Sequence, residues 1–366
     1  MIRFYDLGLS DPGLRAELDA AWARVADSGW VILGPELEAF EAEFAAYCGA
    51  AHAIGVGNGL DALVLALRAA GIGPGDEVIV PSHTFAATWL AVAATGAKVV
   101  PVEPDPRTYT LDPAAAAAAV TPDTKAIVPV SLYGHPADMD PILALAEKHN
   151  LFVLEDAAQG QGARYRGRRA GSLAHATAFS FYPTKNLGAL GDAGCVTTDD
   201  PVIAERLKML RNYGSREKYR HEIAGVNSRL DELQAAFLRA RLTRLDANNA
   251  ARRALAADYG HALAGVAGLT LPAQANWAEP VHHLYVVRTA RRDELQAGLK
   301  ARGVETLIHY PIACHRQGAF ADLGFSAGQF PLAEQLADEV LSLPFWPGMP
   351  KGDMDAVAAA VREVLA

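Results

Sequence analysis

The chain has 366 residues, of which 51% are hydrophobic and 20% charged, a balance typical of a folded globular protein and not of a disordered one. Its formal net charge of −9 repels nucleic-acid backbones and acidic membranes, so an anionic ligand requires a local pocket. The sequence shows no signal-peptide pattern and no apolar run near the roughly 20 residues of a membrane span, which predicts a cytoplasmic protein without nucleic-acid or membrane partners.

Short apolar runs alternate with helical patterns from about residue 35 to residue 200, which is typical of βαβ units. The strand candidates are residues 53–56, 77–80, 98–102, 126–130, 152–155, 176–181 and 195–198, and helices are expected over 59–70, 84–94 and 141–148. Because these strands are apolar on both faces, helices must cover both sides of the sheet. The pattern predicts an α/β fold with a mostly parallel seven-stranded sheet between helices.

Helical patterns dominate the rest of the chain. A short helix over 114–119 is expected, because Asp112 suits the N-cap and Pro113 the first helical position. A long helical stretch covers 230–263, and a smaller α+β segment ends in a helix over 353–365. Since 366 residues exceed what one hydrophobic core usually holds, we expect a large domain over residues 1–249 and a small C-terminal domain over 250–366.

Cysteine chemistry is not expected to contribute to function. Cys48, Cys195 and Cys314 are odd in number, lie far apart and form no C-x-x-C pair. This spacing disfavours a disulfide framework and a structural zinc site, and no metal site is predicted.

The segment over residues 151–194 carries the most informative polar residues. An apolar strand, LFVLE, delivers Asp156 to its carboxyl end, where ligands bind in open α/β sheets. The next strand, ATAFSFYP, delivers Ser180 and, five residues later, Lys185. We therefore expect the aspartate and the lysine to meet at the same edge of the sheet.

This pairing has a use in pyridoxal phosphate (PLP) enzymes. There a lysine forms a Schiff base with the cofactor aldehyde, and a carboxylate keeps the pyridine nitrogen protonated so that the ring accepts electrons. A helix-capping aspartate and a solvated loop lysine would give the same spacing, so the pair alone leaves both interpretations open.

The turn GVGNGLDAL follows a strand candidate and opens a helix, so the N–H groups of Gly59 and Leu60 would face an anion at the helix N-terminus. Glycine-rich turns also occur in nicotinamide-binding folds. The full G-x-G-x-x-G spacing with a later acidic residue is, however, absent here.

Taken together, these motifs show that the sequence resembles the DegT/DnrJ/EryC1/StrS family of PLP-dependent nucleotide-sugar aminotransferases, which have a type I aminotransferase fold. The resemblance spans almost the whole chain and rests on ILG at 32–34, VIVPS at 78–82, EDAAQ at 155–159, residues 179–194, GVN at 225–227 and IHYP at 308–311. It implies PLP as the cofactor, with pyridoxamine phosphate formed during turnover.

The same resemblance implies roles for individual residues. Lys185 would be the Schiff-base lysine and proton shuttle, and Asp156 the partner of the pyridine nitrogen. Gln159 would bind the ring hydroxyl and Phe85 would stack on the ring. The full set implied to hold the cofactor is Asn58, Gly59, Leu60, Phe85, Asp156, Gln159, Ser180, Lys185 and Asn227. Because Asn227 would reach the phosphate from the partner subunit, the resemblance implies a homodimer with shared active sites.

Three positions depart from the family pattern. The family usually has Ser-Gly-Thr where this chain has Asn-Gly-Leu at 58–60, which leaves only backbone amides there for the phosphate. It usually has His in place of Tyr182, and Gly-Glu-Gly-Gly in place of the GDAG at 191–194. These differences resemble the branch that uses glutamate to aminate C3 of a dTDP-linked 3-keto-6-deoxyhexose, giving a dTDP-3-amino-3,6-dideoxyhexose.

Candidate sugar contacts are Tyr182, His309 and Tyr310, since hydroxyls and an imidazole bond sugar oxygens without a fixed charge. Packing at a domain boundary is the alternative role for residues 309 and 310. The basic side chains of RNYGSREKYRHE would suit the diphosphate or the glutamate carboxylates, or else form a solvated loop; they are Arg211, Arg216, Lys218 and Arg220.

Other functions compete with C3 amination. One is amination at C4 of a nucleotide-linked 4-keto-6-deoxyhexose. A second is a sugar dehydratase on the same fold, which the presence of Lys185 disfavours. A third is a non-catalytic regulator, which the joint retention of Lys185, Asp156, Gln159 and Ser180 disfavours. The resemblance points to deoxyaminosugar biosynthesis, for lipopolysaccharide O-antigen or another glycan.

Overall fold

A seven-stranded sheet lies at the centre of the protein, whose computed structural model describes residues 1–366. The strands of the whole chain are β1 (His52–Val56), β2 (Glu77–Pro81), β3 (Lys98–Val102), β4 (Thr124–Ile127), β5 (Phe152–Asp156), β6 (Arg164–Tyr165), β7 (Arg168–Arg169), β8 (Ala176–Ser180), β9 (Gly194–Thr198), β10 (Ser215–Glu217), β11 (Arg220–His221), β12 (Ala278–Glu279), β13 (Tyr285–Arg288) and β14 (Val340–Leu343). The central sheet has the order β1-β9-β8-β5-β4-β2-β3, and only β9 runs antiparallel to its neighbours. The prediction of a mostly parallel seven-stranded sheet in an α/β fold is confirmed.

Helices cover both faces of this sheet, as its apolar strands require. They are α1 (Pro12–Ser28), α2 (Pro35–Cys48), α3 (Gly59–Ala69), α4 (Ala86–Thr95), α5 (Pro113–Ala118), α6 (Met139–His149), α7 (Pro201–Leu210), α8 (Glu232–Leu242), α9 (Leu245–Leu263), α10 (Arg292–Ala301), α11 (Pro331–Glu339) and α12 (Lys351–Leu365). None of the helices is both long enough and apolar enough to cross a bilayer. The three cysteines are buried and free.

Three elements differ from the sequence prediction. Strand β4 covers Thr124–Ile127 and not 126–130, because only an isolated bridge between Val130 and Asp156 continues the pairing toward the edge. The helical stretch over 230–263 is two helices, since α8 ends at Leu242 and α9 begins at Leu245. The helix after the second strand starts at Ala86, because Phe85 is its extended N-cap residue.

The pairing register decides which residues meet at the edge of the sheet. Val56 at the end of β1 pairs with Gly194, and Gly194 pairs with Ser180 at the end of β8. Strand β5 ends beside β8 at Asp156. A Cβ atom at residue 194 would lie 2.3 Å from the backbone oxygen of Asn58, so glycine lets the start of α3 approach β9. The carboxyl ends of β1, β5 and β8 therefore form one continuous rim.

A second hydrophobic core lies outside the central sheet. It combines the end of α9 with the antiparallel pair β13–β14 and with α10 and α12, and it buries Tyr259, Tyr285 and Phe345. Ile2 and Tyr5 of the N-terminal segment pack partly against this core. The division at residue 250 remains a prediction, since α9 begins in the large lobe's core at Leu245 and ends in the second core.

Candidate active site

A cavity of about 440 Å³ opens at the rim of the central sheet. It is lined by the N-terminal turns of α3 and α4, the ends of β5 and β8, the loop after β8, and residues 309 and 310. The predicted site residues that line it are Asn58, Gly59, Leu60, Phe85, Asp156, Gln159, Ser180, Tyr182, Lys185, His309 and Tyr310. Of the predicted set, only Asn227 lies outside the lining, and it is exposed.

Lys185 lies in the loop that follows β8. The loop turns tightly, with the Lys185 backbone N–H donating to the Tyr182 carbonyl at 2.8 Å. Burial lowers the pKa of Lys185 to about 8, while the negative charge of Asp156 acts in the opposite direction. Much of the lysine is therefore uncharged near pH 8, the form that is nucleophilic and able to take up a proton.

Asp156 ends β5 and is buried at the base of the cavity. Its Oδ2 accepts a hydrogen bond of 2.8 Å from the Thr88 hydroxyl, and its Oδ1 accepts one of 3.1 Å from the Ala158 backbone N–H. Burial raises the pKa of Asp156, and the two donors and nearby Lys185 oppose that shift. The hydroxyl of Thr84, which precedes α4, lies 3.0 Å from that of Thr88. The carboxylate is thus fixed in orientation by two neutral donors, and it can bind a cationic group within the cavity.

Gln159 also lines the cavity, and both the oxygen and the nitrogen of its side-chain amide are hydrogen-bonded. Its Oε1 accepts a hydrogen bond of 2.5 Å from the Tyr133 backbone N–H, and its Nε2 donates to the Tyr310 hydroxyl at 2.9 Å. An amide nitrogen carries two hydrogens, so one remains for a further acceptor. The Phe85 ring is 55% exposed and lies 5.2 Å from the Tyr310 ring, which leaves one aromatic face open to the cavity.

The first turn of α3 lines the same cavity as Lys185. The N–H groups of Gly59 and Leu60 make no hydrogen bond within the protein, as expected at a helix N-terminus. The Asn58 side chain caps the helix by accepting from the Asp61 N–H at 2.9 Å, so it faces its own helix. A Cβ atom on Gly59 would lie 2.5 Å from the Ser180 Cβ. The free amides of Gly59 and Leu60 and the side chain of Ser180 thus form a cradle for an anion, and any side chain at residue 59 would fill it.

The predicted sugar contacts Tyr182, His309 and Tyr310 all line the cavity. Tyr182 is 54% exposed. The His309 Nδ1 lies 2.8 Å from the Ser342 hydroxyl, and burial lowers the pKa of His309 to about 4, so its imidazole is neutral. The Tyr310 hydroxyl already accepts from Gln159, which joins it to the inner end of the site.

The basic residues of the 211–222 segment do not line the cavity. Arg211 is buried, pairs with Glu41 and donates to the Gly55 carbonyl at 2.8 Å, so its suggested contact with substrate is wrong within this subunit. Arg216, Lys218 and Arg220 are exposed on the hairpin β10–β11. Lys185 is consequently the only lysine or arginine in the lining, beside the acidic residues Asp156 and Asp192.

Sequence reasoning missed several residues of this site. Thr84 and Thr88 are four residues apart, and the predicted helix over 84–94 would have placed both hydroxyls on one face. In the structure Thr84 precedes α4, yet the two hydroxyls lie 3.0 Å apart. Tyr133 and His283 gave no comparable signal, because they reach the site from a turn and from a distant segment. His283 lines the cavity, and Tyr133 binds Gln159.

These residues fit PLP. A buried carboxylate whose hydrogen-bond donors are both neutral suits a protonated ring nitrogen, Phe85 offers a face for a ring, and the Gly59 cradle suits a phosphate. When bound, PLP supplies the carbonyl that takes up an amino group and the ring that withdraws electrons. Lys185 lines the same cavity and supplies the amine for a Schiff base. The fold and the site therefore define a PLP-dependent aminotransferase with a type I aminotransferase fold.

Comparisons with known proteins agree with this class. Residues 12–362 match the model of the DegT/DnrJ/EryC1/StrS aminotransferase family. A dTDP-3-amino-3,4,6-trideoxy-alpha-D-glucose transaminase from Streptomyces venezuelae is 59% identical over 362 residues, which cover 99% of this chain and 96% of that protein. The erythromycin biosynthesis sensory transduction protein EryC1 from Saccharopolyspora erythraea is 56% identical over 361 residues, 99% of each chain.

A solved structure has the same fold. The crystal structure of S. venezuelae DesV in complex with a ketimine intermediate has a TM-score of 0.97 and 58% identity, covering 99% of this chain and 98% of that chain. The chain belongs to the DegT/DnrJ/EryC1/StrS aminotransferase family. The predictions of family, fold, enzyme class and cofactor are confirmed.

Proposed function

We propose that this enzyme transfers the amino group of glutamate to C3 of a dTDP-linked 3-keto-6-deoxyhexose in deoxyaminosugar biosynthesis in the cytoplasm. The observation that carries the transfer chemistry is that Lys185 and the buried carboxylate of Asp156 line one cavity. The similarity to a transaminase whose name specifies a 3-amino dTDP sugar supports the sugar and the position.

Each residue has a defined task in this reaction. Asp156 keeps the cofactor ring nitrogen protonated, and Thr88 holds the carboxylate in orientation. The N–H groups of Gly59 and Leu60 bind the phosphate together with Ser180. Lys185 Nζ, deprotonated near its pKa of about 8, removes the proton from the nitrogen-bearing carbon of glutamate and returns one to C3 of the sugar.

Three side chains of the cavity lining suit a neutral sugar ring. Tyr182, His309 and Tyr310 present hydroxyls and a neutral imidazole, which bond hydroxyl groups without attracting counterions. A site that hydrogen-bonds one set of hydroxyls disfavours an isomer that leaves a buried polar group unpaired. We assign the preference for C3 to this wall, and Tyr182 is its most exposed member.

A homodimer with shared active sites completes the proposal. The cavity lining contains one cationic side chain, whereas cofactor, nucleotide diphosphate and glutamate together bring several negative charges. Exposed Asn227 and the exposed basic hairpin β10–β11 are available to a partner subunit. Apolar side chains near them are also exposed, among them Val226 and Ile223.

A regulator without turnover is the second function to consider, because one relative carries a sensory name. The lowered pKa of Lys185 and the raised pKa of Asp156 argue for catalysis, since burial of two ionisable groups is costly without a chemical use.

The test supplies the purified enzyme and glutamate with dTDP-3-keto-6-deoxyhexose and dTDP-4-keto-6-deoxyglucose in separate reactions, and NMR locates the new amine. Amine at C3 from the first substrate alone is expected. Product only from the 4-keto sugar would overturn the position while leaving aminotransfer intact, and no product from either would overturn the function.

A further inference from the structure

Three polar side chains form a hydrogen-bonded row behind the Lys185 loop. The Asn249 Nδ2 donates to the Gln161 carbonyl at 2.9 Å, and its Oδ1 accepts from the Asn186 Nδ2 at 2.8 Å. The Asn186 Nδ2 also donates to the Val281 carbonyl at 3.0 Å. The Asn186 Oδ1 lies 3.2 Å from the His283 Nδ1. This row, Asn249–Asn186–His283, joins the residue next to Lys185 to the wall of the cavity.

Backbone carbonyls fix the direction of every bond in the row. A carbonyl only accepts, so the atoms facing Gln161 and Val281 must be the NH₂ groups of Asn249 and Asn186. Both hydrogens of the Asn186 Nδ2 are then committed, and its Oδ1 is an acceptor. His283 must therefore donate from Nδ1.

The remaining nitrogen of His283 then carries a free lone pair. The pKa of His283 is well below its usual value because the ring is buried and because Lys185, Arg252 and His309 add positive charge or polarity nearby. A neutral ring protonated at Nδ1 has an unprotonated Nε2. This atom has no hydrogen-bond partner in the protein and is not enclosed, and His283 lines the cavity beside Lys185.

We propose that His283 is a substrate-binding residue, held by Asn186 and Asn249, whose Nε2 accepts a hydrogen bond from a hydroxyl or amino group of a substrate next to Lys185. The proposal rests on the proposed function for its two sources of such a group, the keto sugar and the amino donor. An acceptor-only atom does not bind carboxylate or phosphate oxygens, so the contact selects for O–H or N–H groups near the reacting carbon.

The first test needs no turnover. Long-range ¹H–¹⁵N NMR of cofactor-free protein labelled with ¹⁵N-histidine distinguishes the two neutral tautomers of His283, which is assigned by its loss in His283→Asn. The Nδ1–H tautomer is expected between pH 6 and 8, and the Asn186→Leu variant should lose this preference. An Nε2–H tautomer in the wild-type protein overturns the proposal.

The second test separates the two ring nitrogens. His283→Asn places an amide at the Nδ1 position and keeps the bond to Asn186, whereas His283→Gln places an amide oxygen, an acceptor, at the Nε2 position. We expect His283→Asn to raise KM for one substrate about 3- to 10-fold with a smaller effect on kcat, and His283→Gln to restore part of the loss. His175→Asn is the control, since His175 is an exposed histidine outside the cavity.

Separate half-reactions identify the group that His283 binds. A rise in KM confined to the sugar half-reaction indicates a sugar hydroxyl, and one confined to the glutamate half-reaction indicates the donor amine. Unchanged KM in both, or equal losses in the Asn and Gln variants, overturns the proposal. Failure of the proposed function would instead show as absent turnover of the 3-keto sugar by wild-type enzyme, with the NMR result and glutamate half-reaction unaffected.

Discussion

The Thr88 hydroxyl donates a hydrogen bond of 2.8 Å to the carboxylate of Asp156, and both side chains are buried. Because the Thr88 hydrogen is committed to Asp156, Thr84 must be the donor in its 3.0 Å contact with Thr88. The carboxylate thus receives one hydrogen bond from α4, through Thr88, and one from the backbone after β5, through Ala158. This contact favours the ionised form of Asp156 and so opposes the rise in pKa that burial causes.

Thr88→Val should therefore raise the pKa of Asp156 further and weaken cofactor binding. A hydrogen bond to a charged group contributes about 1.5–3 kcal/mol, so the Kd for PLP should rise by roughly tenfold or more. Titration of cofactor-free protein followed by visible absorbance measures it. Thr88→Ser keeps the hydroxyl and should bind nearly as wild type. An unchanged Kd in Thr88→Val would contradict a role for this contact.

The negative charge of Asp156 should also influence the pKa of Lys185. In the cofactor-free protein, the rate at which an amine-directed reagent labels Lys185 should rise through pH of about 8, as the ammonium loses its proton. The negative charge of Asp156 raises the pKa of Lys185, so Asp156→Asn should move the midpoint of labelling to lower pH. Peptide mass spectrometry reads the labelling. A midpoint that stays fixed or moves upward would show that the two groups do not interact.

Gly59 should tolerate no side chain. In Gly59→Ala the new Cβ would lie 2.5 Å from the Ser180 Cβ, so the start of α3 must move away from β8. We expect a loss of PLP and inorganic phosphate affinity of roughly tenfold, because the free amides leave their position. Gly73→Ala is the matched control, since the nearest atom to its Cβ would be 3.7 Å away. Equal affinity in the two variants would exclude Gly59 from the phosphate site.

Glu232 should matter for stability, because it fixes the start of α2. Its carboxylate accepts from the backbone N–H groups of Gly34, Glu36 and Leu37, at 2.6, 2.9 and 3.1 Å, and it is buried. Glu232→Gln should lower the free energy of unfolding by about 1–3 kcal/mol, because donors are left unpaired and the helix dipole loses its negative partner. Urea unfolding measures the change. Glu43→Gln, at a partly exposed ion pair with Arg239, should cost less, and the reverse order would contradict this account.

Mixed dimers test the shared site. Lys185→Ala should bind cofactor without turnover, and Asn227→Ala should be impaired. If Asn227 serves the partner's site, a heterodimer of the two variants has one intact site, and an equal mixture that exchanges subunits should regain about a quarter of wild-type activity. If Asn227 acts within its own subunit, mixing restores nothing. Sedimentation of an active monomer at micromolar concentration would exclude the dimer altogether.

The sequence by itself determined the central sheet, the helices around it and the main pair of the site. Apolar, β-branched runs and capping signals such as Asp112-Pro113 are local, so they were readable without a structure. Asp156 and Lys185 were predicted at one edge because parallel strands place their carboxyl ends together, a rule that follows from chain direction alone. The family motifs then added Gln159, Phe85 and the phosphate turn.

Only the tertiary structure decided which distant groups tune these residues. Thr88 contacts Asp156 although 68 positions separate them in the sequence. In the row Asn249–Asn186–His283, the contacting residues Asn186 and His283 are 97 positions apart. Arg211 looked available for substrate, yet folding buries it against Glu41. Such contacts depend on packing between elements that no local pattern specifies, and burial, which sets the pKa of Lys185 and Asp156, exists only once the chain is folded.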